Sequence, residues 1–416
     1  MKLSKMYYWI LPALVVFGMA SCKKENSMGY TPGTGAPTVA SVKLVNEYVT
    51  GIQVQTTSSY SSSGVLSTKS DTNFNYKQLK AVDSTTVTGN LGNMYKISGT
   101  NLGSATKLTL NGAIVYFNRS WGDDNSIIFT LPNTIPYVQP QTNNMVITTL
   151  HGSVTYKFTT LPPPPTILQL TDFDFWANSL IGLKGKGFAS VSDIKLKATG
   201  DEVTIVSKDD STLVLKMPAS SAATESALQF TYTSGSNTGA QTVSPTIFNN
   251  LDNAYVIYGN SSFQNSWGDN SWQGPSGSQS SNPHAYNGTA SIIATYPANG
   301  WKIEGWANWY PSFSYDASYT YVSFWVKGGK TTETLALVGD QMNPAGNGYS
   351  QNTTPSAAAT VVVPPNVWTF FKIPLGTATG QLNYWANGNV AKQLGFFLQG
   401  PAADETLYFD EVAFLK

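Results

Sequence analysis

The chain has 416 residues, carries 24 basic against 24 acidic side chains, and only 12% of its residues are charged. Arg119 is its only arginine. The clustered cations that displace phosphate counterions are therefore lacking, which excludes nucleic-acid binding and disfavours strongly anionic glycans. A single cysteine excludes an internal disulfide or a cysteine metal cluster, and the wealth of Ser, Thr, Asn, Gly and Tyr indicates an extracytoplasmic, multidomain all-β protein.

Residues 1–22 read as an address. Lys2 and Lys5 form a charged start, Ile10–Ala20 is an apolar run too short to span a bilayer, and Ser21-Cys22 ends it. The small residues ahead of Cys22 resemble a bacterial lipoprotein signal. That resemblance implies cleavage before Cys22 and lipid on its thiol and new N-terminus, which tethers the mature protein to a membrane. Loss of the two leader lysines leaves a net charge near −2. Residues 23–35 have no apolar period and read as a flexible stalk.

Two units that repeat each other follow, at 36–162 and 163–247, separated by the polyproline spacer Leu161–Pro165. Ile97-Ser-Gly99-Thr-Asn-Leu-Gly103 matches Leu183-Lys-Gly185-Lys-Gly-Phe-Ala189. Leu108-Thr-Leu-Asn111 matches Ile194-Lys-Leu-Lys197, and Asp123…Pro132 matches Asp209…Pro218, all at one constant offset. Short alternating strands between Gly and Asn turns predict a small β-sandwich for each, with the glycine turn needing positive φ and close strand approach. The pattern resembles the immunoglobulin-like IPT/TIG domain. In secreted bacterial proteins such domains mostly act as spacers, and neither copy shows a catalytic constellation. The first copy carries a Ser/Thr-rich excursion at Thr56–Ser70, read as a loop.

Residues 248–416 form the third domain. Alternation at Val322-x-Phe324-x-Val326, Leu335-x-Leu337, Phe371-x-Ile373 and Phe409-x-Glu411-x-Ala413 predicts two packed sheets, a β-jelly-roll sandwich. The predicted fold class is thus all-β: two immunoglobulin-like sandwiches followed by a larger jelly roll. Eight of the eleven tryptophans lie at 249–416, interleaved with Asn, Gly and Ser. Indole is a costly core filler because its N–H needs a partner, whereas an exposed flat ring suits the C–H face of a pyranose.

Strand parity assigns the candidates. Along Trp301–Tyr310, Trp301 and Ile303 face one way and Lys302, Glu304 and Trp306 the other. Two charges and an indole read as the exposed sheet face, with Trp309 and Tyr310 at the rim. Trp267 and Trp272, in a Gly/Asn/Ser loop, and Trp385, in Asn383–Asn387, read as loop contacts. Asp340, Gln341 and Asn343 are candidate partners for sugar hydroxyls. Trp325 and Trp368 read as packing, although parity also allows Trp325 toward the groove.

The landmarks Asn265-Ser-Trp-Gly268, Phe324-Trp-Val-Lys-Gly-Gly329, Val363–Pro374 and Leu407–Phe414 resemble the jelly-roll carbohydrate-binding modules of plant-polysaccharide enzymes. With the lipoprotein signal and tandem IPT/TIG domains, the whole chain resembles the surface glycan-binding lipoproteins of Gram-negative polysaccharide-utilisation systems, the xyloglucan-binding type in particular. The resemblance implies a non-catalytic protein, lipid-anchored on the outer-membrane surface, that captures a neutral polysaccharide. A TonB-dependent importer and an endo-acting enzyme would lie nearby. No cofactor is expected. Tyr258-Gly-Asn260 lacks the acids that related modules place there, so a structural calcium is not assigned, with Asp410 one possible oxygen ligand. A jelly-roll glycosidase would need two carboxyls flanking the scissile bond. Glu304 has Lys302 as its same-face neighbour instead, and His151 and His284 lie in different domains. The other alternative is a structural or adhesive protein whose aromatic rings grip a protein partner.

Overall fold

The computed structural model describes residues 30–60, 66–235, 237–273, 278–281, 286–340, 349, 359–386 and 389–416, with side-chain surroundings left aside at 48–77 and 278–281. Cys22, Gln341, Asn343 and His284 fall outside the described residues. The chain is all-β, and among the described residues no helix is long and apolar enough to cross a membrane. It divides into two compact units, residues 1–164 with 232–240, and residues 165–231 with 241–416.

The first unit holds a sandwich of two four-stranded sheets. One runs in the order Leu66–Thr85, Thr38–Tyr60, Met94–Thr100, Ser126–Thr130; the other Ala113–Ile114, Ala105–Leu110, Asn144–Thr149, Gly152–Lys157. Alternate apolar residues (Tyr95, Ile97, Leu108, Leu110, Phe129 and Ile147) close the core between them. Within the excursion expected as a loop at Thr56–Ser70, the described residues Thr56–Tyr60 and Leu66–Ser70 are instead paired strand, the end of an antiparallel ladder that runs from Lys43↔Thr85 to Tyr60↔Leu66. Ser/Thr-rich sequence takes this form once a partner strand satisfies its backbone hydrogen bonds.

The second unit contains the repeat of that sandwich. Its sheets run Thr166–Leu170, Leu180–Lys186, Thr212–Lys216, Thr204–Lys208, and Asp174–Phe175, Asn237–Asn250, Glu225–Ser234, Val191–Leu196. The repeated glycine has the same role in both copies. A Cβ at Gly99 would stand 1.9 Å from the Thr38 carbonyl oxygen, and one at Gly185 would stand 1.9 Å from that of Thr166. Close approach fixes these two glycines, whereas positive φ falls two residues later, on Asn101 and Gly187.

The jelly roll completes the second unit. In one sheet the long strand Glu405–Leu415 pairs with Tyr255–Gly259, Ala290–Tyr296 and Tyr321–Lys327. The facing sheet runs Gly268–Asp269, Trp301–Ala307, Gln393–Gln399, Glu333–Gly339, Ala359–Val363. Tyr258, Tyr296, Trp306, Phe324, Phe396 and Phe409 fill the space between. The alternation expected along Phe409–Phe414 changes phase: Phe409, then Val412 and Phe414, enter this core. Glu411 has φ +46° and lies where the pairing with Tyr321–Lys327 slips, between Ser323↔Ala413 and Trp325↔Asp410, so a β-bulge makes the change.

Lys302, Glu304 and Trp306 do share one face, as parity requires, but it is the core face. All three are fully buried, which corrects their assignment to an exposed groove. The ammonium of Lys302 lies 3.2 Å from Glu304 Oε2, in ion-pair range. The Trp306 indole N–H donates to Glu304 Oε1 at 3.3 Å. Two opposite charges and a donor therefore enter the core together, which neither charge does alone. Trp306 itself packs against Phe396 and Phe409, at 5.3 and 5.8 Å between ring centres.

Two outcomes follow from this core. Trp306→Ala is expected to lower the unfolding free energy by about 3–5 kcal/mol through the cavity it leaves, read as a lower urea midpoint. Burial raises the Glu304 carboxyl from 4.5 to about 7, against the pull of Lys302. The folded chain then binds this proton more tightly than the unfolded one, so the group's contribution is full below pH 4.5 and is lost as the pH rises to about 7. In Glu304→Gln the urea midpoint should change less over that window than in the native chain, and equal slopes would refute the assignment.

Candidate functional site

The outer face of the five-stranded sheet is the reverse of the core face just described. Trp301, Ile303 and Gly305 point there from one strand. Gly395, Phe397 and Gln399 join them from the next, which pairs Trp301↔Gln399, Ile303↔Phe397 and Gly305↔Gly395. Ala336 and Val338 continue the face, with Thr360 and Val362 at the far edge. These side chains are apolar or uncharged, so the face is neutral as well as partly aromatic.

One end of the face is closed. Without Cβ atoms, Gly305 and Gly395 leave room for the ring of Tyr349; a Cβ at Gly305 would stand 2.0 Å from its hydroxyl. That hydroxyl donates to the Asn270 carbonyl at 2.9 Å and accepts from the Asn270 side chain at 3.3 Å. Trp272 extends the sheet edge through reciprocal backbone bonds with Ile303, and its indole meets Tyr349 edge-on at 5.3 Å. Burial and nearby acid charge push the Tyr349 phenol above its ordinary value, so it stays a neutral donor. The other end is open: Trp301 is 37% exposed, Val362 is 60% exposed, Gln399 and Thr334 are exposed, and Phe397 is half-buried beside Trp301 at 6.4 Å.

A second aromatic surface lies beyond the other end of the Trp301–Ala307 strand. Trp309 is 47% and Tyr310 88% exposed. The Lys392 ammonium sits 5.9 Å from the Trp309 ring centre. The chain then runs into an open groove of about 480 Å³, bounded among others by Tyr255, Asn265, Tyr315, Asp316 and Tyr319. A backbone N–H from Ser318 bonds the Asp316 carboxylate at 2.8 Å and holds it below its usual range. The groove thus offers flat rings beside fixed hydrogen-bonding groups, a combination suited to a polyhydroxylated ligand.

The remaining candidates resolve as follows. Trp267 is buried and donates its indole N–H to the Tyr255 hydroxyl at 3.2 Å, so it is a core residue and not a loop contact. Trp385 packs on Phe313, Tyr384 and Phe414 and donates to the Phe313 carbonyl at 3.3 Å, which likewise makes it a packing residue. In each case a specific acceptor removes the cost of burying the indole. Trp272 is half-buried against Tyr349 and walls the closed end instead of standing free. Asp340 is half-buried, raised by desolvation, and accepts the Lys392 backbone N–H at 2.9 Å, so it pins the strand end near Trp309. Trp325 is buried and stacks on Tyr286 at 3.9 Å.

Parity grouped Trp301 with Ile303 correctly but on the opposite face from the exposed one, and Phe397 and Gln399 are outward residues that the sequence reading did not single out. A cross-strand signal was present in the sequence: Leu394-x-Phe396-x-Leu398 is the apolar set of the partner strand, so Gln393, Gly395, Phe397 and Gln399, and whatever pairs with them, must face outward. At the closed end, Gly305→Ala would drive a methyl into Tyr349. It is expected to cost about 1–3 kcal/mol by overpacking and to loosen Tyr349 from Asn270, measurable as a lower urea midpoint and faster amide exchange at Asn270.

No protein-family model matches the chain. Over 92 residues it is 34% identical to an IPT/TIG domain-containing protein of Bacteroides ovatus, a stretch that takes in 21% of this chain and 19% of that protein. The chain thus spans about a fifth of the length of that relative. Among solved structures it is similar to a surface glycan-binding protein from Prevotella bryantii, at a TM-score of 0.47 and 14% identity over 92% of this chain and 99% of that one. It is also similar to SGBP-B from a complex xyloglucan utilization locus in Bacteroides uniformis, at a TM-score of 0.38 and 12% identity over 79% of this chain and 96% of that one.

Proposed function

We propose that the protein is a non-catalytic, cell-surface glycan-binding lipoprotein that captures a neutral polysaccharide on its jelly roll. The observation that carries this reading is the exposed aromatic set on one domain, with Trp301 and Phe397 on an uncharged sheet face and Trp309 and Tyr310 beside a polar groove. Flat rings stack on pyranose faces, and the absence of a charged cluster on the sheet face suits a ligand without ionised groups. A β-glucan or xyloglucan-like backbone has the extended, repeating faces such a surface accommodates.

A catalytic role is not supported by the acids. Glu304, which lies between Trp301 and Trp306, is sealed in the core against Lys302, so it cannot flank a glycosidic bond. The lipid anchor at Cys22 would hold the protein on the outer membrane. The two immunoglobulin-like sandwiches would act as spacers, and a TonB-dependent importer with an endo-glycanase would take over the captured chain. Weak binding suits that task, because the chain must be released, and tethering raises its effective concentration. In the rival reading the same rings grip a protein.

The test is affinity gel electrophoresis of the mature chain against soluble neutral polysaccharides, including xyloglucan, mixed-linkage β-glucan and mannan. Retardation by one of them is expected. Trp301→Ala and Trp309→Ala should each weaken it about fivefold, the loss of roughly 1 kcal/mol of stacking, with the urea midpoint unchanged. Retardation by none of the glycans, with both variants folded, would sink the glycan reading and favour a protein partner.

A further inference from the structure

We infer that the second immunoglobulin-like sandwich and the jelly roll, both within the second compact unit, are joined by a divalent-cation site formed by Asp172, Asp174 and Glu411. This inference is independent of the glycan reading. The sandwich supplies an Asp-Phe-Asp segment just after its strand Thr166–Leu170. Phe173 stacks on Phe370 at 5.0 Å, which places a carboxylate on either side of an apolar anchor. The jelly roll supplies Glu411 from the bulge in its last strand, where positive φ turns an acid into the junction. A bulge held by a non-glycine residue at positive φ is a device that re-aims a side chain, and it often accompanies a binding site.

The three carboxylates are buried and offer oxygens that all lie within 4.8 Å of one another. Each is held by one oxygen from outside the cluster. Asp172 Oδ1 accepts from the Trp325 indole at 3.3 Å, Asp174 Oδ1 from the Asn249 side chain at 2.6 Å, and Glu411 Oε1 from the Trp176 indole at 3.2 Å and the Asn287 side chain at 2.8 Å. The second oxygens of Asp174 and Glu411 are buried with no hydrogen-bond partner, as is the hydroxyl of Tyr286. The Tyr286 ring stacks at 3.9 Å on Trp325, the indole that donates to Asp172.

The charge count points the same way. Lys372 is the cation that acts on Asp174, but its ammonium is bonded to Glu225 and Asn249, each at 2.9 Å. Asp410 is satisfied by the backbone N–H groups of Tyr286, Asn287 and Glu411 at 3.0, 3.1 and 2.9 Å, so it supports the bulge and is not a ligand. Three buried carboxyls remain, two of them with an orphaned oxygen, an arrangement that is costly without a neutralising partner. An all-oxygen donor set selects a hard cation. Buried carboxylate oxygens of this kind are the ligands that calcium takes.

The experiment uses the mature chain, stripped with chelator. Trp176 and Trp325 each donate to a proposed ligand, so excitation of tryptophan should sensitise Tb3+ bound there, and Ca2+ should displace it. One Tb3+ per chain and a higher melting temperature on adding Ca2+ are expected. The double variant Asp174→Asn/Glu411→Gln should lose about tenfold or more in Tb3+ emission and its Ca2+ response, while its chelated form melts no lower than the native one. Unchanged emission in the double variant would place Tb3+ on other acids and overturn the site. So would a native chain whose melting temperature ignores Ca2+ and whose calorimetric titration shows no saturable binding, a result that stands even if the variant does not fold.

Discussion

The orientation of the strand Trp301–Ala307 governs the jelly roll, and the Lys302–Glu304 ion pair with Trp306 sets it. A strand has two faces, and this one offers two charges and an indole on one side against an indole and an isoleucine on the other. Hydrophobicity by residue type alone favours burying the second set. The first set wins because its members satisfy one another: the charges pair at 3.2 Å, and Trp306 donates to the same carboxylate. Trp306 then packs on Phe396 and Phe409 with an apolar area that no smaller residue would supply. Turning this face inward turns Trp301 outward, next to Phe397 and Gln399. The candidate glycan platform is thus a consequence of how the core accommodates its polar members.

The same accounting separates structural from available tryptophans. Trp267, Trp306, Trp325 and Trp385 each donate the indole N–H to a specific acceptor: Tyr255, Glu304, Asp172 and the Phe313 carbonyl. With its donor satisfied, an indole is an efficient filler. Trp301 and Trp309 keep substantial exposure instead. In the jelly roll their rings are open to a ligand, and Trp121 is exposed in the first sandwich.

Polar burial recurs where the second sandwich meets the jelly roll. The bulge at Glu411 changes the phase of the last strand, so that Val412 and Phe414 reach the main core and Ala413 and Leu415 reach a second cluster with Val256 and Leu251. One irregular residue therefore serves two packing faces and brings an acid beside Asp172 and Asp174. The Phe173 contact with Trp325 and Phe370 supplies apolar area at the same place. Apolar contact and buried charge are thus concentrated within a few residues of the junction.

Much of the fold was legible from local rules. The 2-residue period along Val322–Val326 and Leu335–Leu337 marked core strands, and the repeated Gly99 and Gly185 marked a duplicated sandwich, because these patterns depend only on pleat geometry and on close backbone approach. The parity of Trp301–Trp306 was legible as well, since successive side chains must alternate. Which face became core was not, because that depends on partners distant in sequence: Tyr296, Phe396 and Phe409 around the ion pair, and Tyr349 over Gly305 and Gly395. The pairing of Thr56–Tyr60 with Leu66–Ser70 was hidden for a related reason, as Ser/Thr-rich sequence becomes strand only when a neighbour pairs with it. Sequence by itself determined the all-β class, the repeat and the aromatic wealth of the last domain. Tertiary structure alone decided which aromatics stayed at the surface, because burial of an indole or a charge turns on whether a complementary group from another strand is there to meet it.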